Sequence, residues 1–152
     1  EFEGMKIGVF GLGIELEGLV NPKLYGDVRY NDPITEANKQ GNYLKNELGC
    51  DLVICLSHLG YDYNSEKYNF DQERICDKHV AENSQNVDII LGGHTHTFLD
   101  TPTYFTNNDQ KSVMVCQVGW AGIKLGRIDL YMDVATRIIN GSYIAPKVSQ
   151  SQ

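Results

Sequence analysis

The sequence predicts an α/β fold in which a β-α-β-α-β unit is followed by antiparallel strands. Three short apolar runs, at residues 5–12, 51–57 and 87–91, alternate with two segments of helical pattern, which is typical of right-handed crossovers. Beyond residue 100, further strand-like runs follow each other without room for a helix, so we expect them to pair largely antiparallel. At 152 residues the chain has the length of one domain, which we assign to residues 1–145, followed by a polar tail at 146–152.

The first half of the chain justifies these assignments in order. In residues 5–12, apolar residues at first alternate with other residues, and the run then becomes apolar, as in a strand that enters a buried sheet. Residues 14–32 have no clear period and form an irregular connection, a kind of segment that often lies over a functional site. Asp32 and Pro33 are suited to begin a helix that extends to residue 48, and Gly49 is suited to end it. The apolar run 51–57 is then a strand buried on both faces.

The second half continues the pattern and then changes it. Residues 61–70 read as a loop, residues 71–83 as a second helix, and residues 88–91 as the third strand. A loop or short edge strand is expected at 101–108. Three further strands are expected at 111–118, 123–132 and 136–144, with a tight connection between the last two at 133–135.

The composition limits the classes of function. The contents of 41% hydrophobic and 22% charged residues are those of a globular protein, and no run of about 18 apolar residues is available to cross a membrane. The net charge of −7 and the absence of a basic cluster argue against a nucleic-acid polymer as partner. A small anionic substrate is compatible with this charge if metal ions supply the positive charge. The four cysteines lack metal-site spacing and are expected to be buried free thiols.

Three of the four histidines follow predicted strands directly. His58 follows the second strand, while His94 and His96 follow the third, after two glycines. Because parallel strands end at the same edge of a sheet, these side chains can converge there. If the segment is extended, His94 and His96 also point to the same side. Imidazole is a common ligand of zinc, manganese and iron, so the sequence predicts a metal site. The remaining histidine, His79, is expected to be a solvated helix residue.

The two histidine motifs together resemble a known family. Residues 56–60, Leu-Ser-His-Leu-Gly, and residues 92–97, Gly-Gly-His-Thr-His-Thr, are similar in sequence and order to motifs in the C-terminal half of calcineurin-like metallophosphoesterase domains, closest to the 5'-nucleotidase branch. The resemblance implies a four-layer αββα sandwich with two divalent metal ions at the strand ends. By position, His58 and His94 would ligate one ion and His96 the other. A small phosphorylated substrate, a nucleotide, and a location outside the cytoplasm are also implied.

The family's domain normally opens with Asp-x-His, Gly-Asp and Asn-His motifs, and this chain does not. We therefore expect a fragment that lacks the bridging ligand and the catalytic histidine, is inactive alone, and has no catalytic residue of its own. Its exposed half-sandwich surface should favour association. A cyclic-nucleotide phosphodiesterase or a nucleotide-sugar hydrolase remains an alternative substrate class. A non-enzymatic metal-binding or interaction domain remains an alternative of another kind.

Overall fold

The computed structural model describes residues 4–63, 74–133, 139–144 and 146. Its centre is a five-stranded sheet in the order β1-β2-β3-β5-β4, beside a two-stranded hairpin of β6 and β7. The strands are β1 (Ile7–Leu12), β2 (Leu52–Ser57), β3 (Ile89–Leu91), β4 (Thr103–Thr106), β5 (Ser112–Cys116), β6 (Arg127–Met132) and β7 (Ile139–Ile144). The helices are α1 (Pro22–Tyr25), α2 (Pro33–Asn42) and α3 (Asp77–Asn83), and a π-helical turn, Tyr43–Glu47, follows α2.

The mixed α/β fold predicted from the sequence is confirmed. Strands β1, β2 and β3 pair in parallel, and β4–β5 and β6–β7 pair antiparallel as expected. Strand β5, however, pairs parallel to β3. No helix is needed for this pairing, because the loop after β3 and the strand β4 carry the chain back across the sheet. Four parallel strands therefore end at one edge.

The boundaries of the helices follow from local chemistry. Asp32 begins α2, since its Oδ1 accepts a hydrogen bond of 2.7 Å from the amide of Thr35, and Gly49 ends the helical segment with a φ of +66°. Helix α3 begins at Asp77, six residues later than predicted, and residues 64–73 lie outside the described residues. The same holds for residues 134–138 between β6 and β7, and for nearly all of the polar tail.

The two faces of the sheet are covered unequally. On one face, Phe10, Val53, Cys55, Ile90 and Val115 pack in a buried cluster with residues of α2 and α3. The other face packs Leu52, Ile89, Met114 and Cys116 against Ile128, Leu130 and Tyr143 of the hairpin. The hairpin does not reach all of this second face: Ile7, Val9 and Leu56 are 40%, 52% and 50% exposed.

The cysteines are buried free thiols, as predicted. Burial raises the pKa of Cys55 to about 12 and that of Cys116 to about 11, so these thiols stay protonated and unreactive at neutral pH. They contribute to packing.

Candidate metal centre

His58 and His94 lie side by side at the C-terminal edge of the parallel strands. His58 directly follows β2, and its amide donates to the carbonyl oxygen of Leu12 at the end of β1, at 2.9 Å. The imidazole rings of His58 and His94 meet edge to face, with centroids 5.2 Å apart and an angle of 71° between their planes. The convergence of two strand-end histidines, expected from the parallel order, is present in the structure.

Gly93 permits the close approach of the two loops. A Cβ atom at this position would lie 2.9 Å from Nδ1 of His58, which is closer than Cβ atoms approach in proteins. A side chain here would displace the His58 ring. The glycine before His94 is therefore required by the packing of the two imidazoles.

His96 lies apart from this pair. Its ring stacks on the indole of Trp120, with centroids 5.7 Å apart and planes inclined by 17°. His94 and His96 have φ angles of +73° and +55°, so the segment is not extended, and the expected shared orientation of residues two apart is wrong. Two successive left-handed turns direct the rings to different neighbours. The assignment of His58 and His94 to one ion and His96 to another, implied by the family resemblance, stays a prediction.

The protonation state of His94 suits a ligand. Burial, and then the positive charges of His58, Arg74 and His96, lower the pKa of His94 below its usual value. Its imidazole is therefore neutral at physiological pH, the form that can donate a lone pair to a metal ion. Within the described part of the chain, no hydrogen bond occupies a ring nitrogen of His58, His94 or His96. These three histidines are therefore suitable ligands for a divalent metal ion, but they form only part of a complete ligand set.

The described residues do not complete a metal site. Among them, no group of three or more His, Cys, Asp or Glu side chains is arranged to hold a metal ion. The sequence does contain the letters Asp-x-His at residues 77–79, but there they form the first turn of α3. Nδ1 of His79 lies 3.2 Å from the amide nitrogen of Cys76 and 3.3 Å from its sulfur, so His79 caps this helix. His79 lies in a helix, as expected, and is half-buried.

Asp77, which was not predicted from the sequence as a site residue, is a buried carboxyl beneath the two histidine loops. It is completely buried and accepts a hydrogen bond from the hydroxyl of Ser57, the residue before His58. Its other oxygen, Oδ2, packs against the α-carbon of Gly92 and has no hydrogen-bond partner among the described residues. Burial raises the pKa of Asp77 to about 7, although the bond from Ser57 opposes the shift. The signal available in the sequence was its spacing: Asp77 precedes the apolar Val80 by three residues and the apolar Ala81 by four.

Gln117 was also missed. It directly follows β5 and is 2% exposed, and its amide bonds the loop that carries His94 and His96. The rule that singled out His58, a polar residue directly after an apolar strand, applies equally to Gln117.

The irregular connection after β1 forms the wall of a cavity of about 920 Å³. Its lining comes from residues 10–40, including Tyr25, Arg29 and Tyr30, and not from the histidine loops. The lining includes the end of β1, and β1 ends at the same edge of the sheet as β2. That this connection borders a functional site stays a prediction.

Comparison with known proteins supports the resemblance. No family model matches the chain. The chain is 26% identical to the trifunctional nucleotide phosphoesterase protein YfkN of Bacillus subtilis over 133 residues, which are 88% of this chain and 8% of that protein. It is 29% identical to a snake venom 5'-nucleotidase of Gloydius brevicauda over 151 residues, or 90% of this chain and 23% of that one. Apyrases are further relatives.

A solved structure confirms the fold. A 5'-nucleotidase precursor from Thermus thermophilus superposes with a TM-score of 0.71 at 24% identity, over 95% of this chain and 28% of the other. The chain spans 8% of the Bacillus subtilis protein, 24% of an apyrase and 23% of the venom 5'-nucleotidase, and is similar to a part of each. Their names are those of nucleotide hydrolases, which favours the hydrolase expectation over a binding-only domain. No helix among the described residues is long and apolar enough to cross a bilayer.

Proposed function

We propose that this chain, whose relatives are 5'-nucleotidases, apyrases and a nucleotide phosphoesterase, forms part of a metal-dependent enzyme that hydrolyses phosphate esters of nucleotides. The observation that carries the proposal is the contact between the His58 and His94 rings at the C-terminal edge of the sheet. Two imidazoles held by rigid strands are half of a typical ligand set for zinc, manganese or iron.

In this proposal, two divalent ions are divided between the histidines. His58 and His94 hold one ion, and His96, turned toward Trp120, holds the other. Bound there, the metals would polarise the phosphate and lower the pKa of an attacking water. The chain itself would orient the ligands. The further ligands and the catalytic groups would come from other parts of a longer protein, since the relatives are several times longer than this chain.

Metal titration of the 152-residue chain tests the ligand assignment. We expect His58→Ala and His94→Ala to weaken the binding of Zn²⁺ or Mn²⁺ to one and the same site, and His96→Ala to affect a different one. His79→Ala is the matched control, because His79 caps α3, and it should leave both affinities unchanged. If loss of His94 leaves metal binding intact, the assignment is wrong.

Turnover tests whether the chain is catalytically incomplete. We expect the chain alone, with Mn²⁺ or Zn²⁺, to hydrolyse 5'-nucleotides no faster than the His94→Ala variant. Substantial activity that His94→Ala abolishes would contradict this incompleteness while supporting the proposed reaction.

We further propose that another part of the longer protein covers the exposed portion of the sheet. Ile7 and Val9 lie opposite Leu52 and Ile54 in the β1–β2 register, so their side chains are on the hairpin side of the sheet. Together with Leu56 they form an exposed apolar surface there. Exposed apolar surface of this kind marks an interface. The isolated chain should therefore associate with itself.

A location outside the cytoplasm is also proposed for the full-length protein. One relative is a venom enzyme and another is described as a precursor. Fractionation of the source cells, followed by immunodetection of this chain, tests the location. Recovery of the protein with cytoplasmic markers would contradict the proposal.

A further inference from the structure

Gln117 holds both ends of the loop that carries His94 and His96. Its Nε2 donates to the carbonyl oxygen of Gly93 at 2.8 Å, and its Oε1 accepts from the amide of Thr97. The same Oε1 accepts from the hydroxyl of Thr95 at 3.1 Å. One buried side chain thus satisfies backbone groups on either side of both histidines.

The loop needs such support because of its backbone conformation. His94 and His96 both lie in the left-handed region, which residues with a Cβ atom adopt rarely. Strained conformations of this kind persist only where the surrounding structure fixes them. Hydrogen bonds at Gly93 and Thr97, directly outside the two histidines, fix the points at which the chain enters and leaves the strained turns.

The same network reaches the loop that carries His58. Thr95 is 3% exposed, and its Oγ1 accepts from the amide of Tyr61 at 3.0 Å. A Cβ atom on Gly60 would lie 2.7 Å from the Cγ2 methyl of Thr95. The two loops are therefore packed without a gap. A chain of contacts therefore runs from Gln117 through Thr95 to the loop after β2.

We infer that Gln117 is a positioning residue for the proposed metal centre. It acts through the backbone of the Gly93–Thr97 loop, and it directs His94 to His58 and His96 to Trp120. The ligand roles rest on the proposed function, whereas the positioning of the rings is a property of the metal-free chain and is measured separately.

The experiment compares Gln117→Met, Gln117→Glu and the matched control Gln85→Met by NMR on the metal-free chain. Methionine has a similar length but neither donates nor accepts, while glutamate keeps the acceptor for Thr97 and, when ionised, loses the donor to Gly93. Gln85 is exposed and lies between α3 and β3, at the opposite edge of the sheet. The readouts are ring-to-ring contacts and the exchange rate of the Thr97 amide.

In Gln117→Met we expect loss of both the His58–His94 and the His96–Trp120 ring contacts. We also expect amide exchange at Thr97 to accelerate about tenfold or more. The Val53 amide, which donates to Asp88 in the sheet, should remain protected and shows that the variant is folded. The control should retain all three features.

A folded Gln117→Met chain that keeps both ring contacts and a slow Thr97 amide would overturn the inference, since Gln117 would then only fill space. If Gln117→Met does not fold, Gln117→Glu decides at a pH at which its carboxyl is ionised: loss of the His58–His94 contact with a protected Thr97 amide supports positioning, and unchanged ring contacts contradict it. Absence of Zn²⁺ binding by the unsubstituted chain would defeat the proposed function but not the positioning of the rings.

Discussion

The rings of His96 and Trp120 stack with their centroids 5.7 Å apart, while the ring of His94, two residues earlier, meets that of His58. A single short loop therefore presents two imidazoles to two different surroundings. Trp120 is 56% exposed and is the one tryptophan in the chain. Its fluorescence reports on His96 without any label.

We predict that Mn²⁺ quenches the fluorescence of Trp120, because an ion held by His96 would lie close to the stacked indole. His96→Ala should abolish the quenching at metal concentrations that saturate the unsubstituted chain. His79→Ala should leave it unchanged. A fluorescence titration measures this, and removal of the metal with a chelator should restore the signal. Equal quenching with and without the His96 side chain would mean that the second ion does not bind there.

Gly93→Ala should disturb the His58 ring. The added methyl group would lie 2.9 Å from Nδ1 of His58, so that the ring must move. We expect destabilisation of about 1–3 kcal/mol from overpacking, and a loss of about tenfold or more in metal affinity, the size typical of disturbed ligand orientation. Urea unfolding and metal titration provide the two measurements.

Gly13→Ala is the matched control for Gly93→Ala. A Cβ at Gly13 meets no atom within 4 Å, and its φ is not in the left-handed region. This variant should bind metal as the unsubstituted chain does. If Gly93→Ala also binds metal normally, the His58 ring has room to move without loss, and the close approach of the two loops has no functional role.

The apolar surface of Ile7, Val9 and Leu56 should drive self-association of the isolated chain. We expect Val9→Lys to shift the chain toward monomer in sedimentation velocity runs at several concentrations, because a charge in that interface is costly to bury. Leu24→Lys is the control, since Leu24 is 80% exposed on α1, away from the sheet. An unsubstituted chain that is monomeric at every concentration would contradict the prediction.

The strands and their common edge could be predicted from the sequence because each is a short apolar run with a sharp end. Cys55 and Ile90 are buried on both sides by neighbours that the parallel order supplies. The helix start at Asp32 was predictable as well, since its capping bond is local. These features depend on residues close together in the sequence.

The conformation of the histidine loop could not be predicted in the same way. The loop with left-handed turns at His94 and His96 is hydrogen-bonded to Gln117, which lies some twenty residues later in the chain and directly follows β5. The direction of β5 depended on how the chain returns after β3, which periodicity does not encode. In both cases the deciding contacts are distant in sequence, whereas the ligand residue types are visible locally.

The buried carboxyl of Asp77 should make stability depend on pH in a specific direction. Its pKa rises from 3.8 in the unfolded chain to about 7 in the folded one, so folding takes up a proton between these values. The contribution of this group is therefore most favourable at low pH and is lost as the pH rises toward 7. At 1.36 kcal/mol per pKa unit, the loss is on the order of 4 kcal/mol.

Asp77→Asn removes this dependence while preserving an acceptor for the Ser57 hydroxyl. We expect its free energy of unfolding, relative to that of the unsubstituted chain, to increase steadily from pH 4.5 to about 7 and to level off above. Taking the difference cancels the titration of the histidines, which is common to both chains. Urea unfolding at a series of pH values measures it, with Asp27→Asn, at an exposed position in the irregular connection, as the control. A constant difference for Asp77→Asn would show that its carboxyl is ionised in the folded chain, with a cation or an ordered water at Oδ2 that compensates its burial.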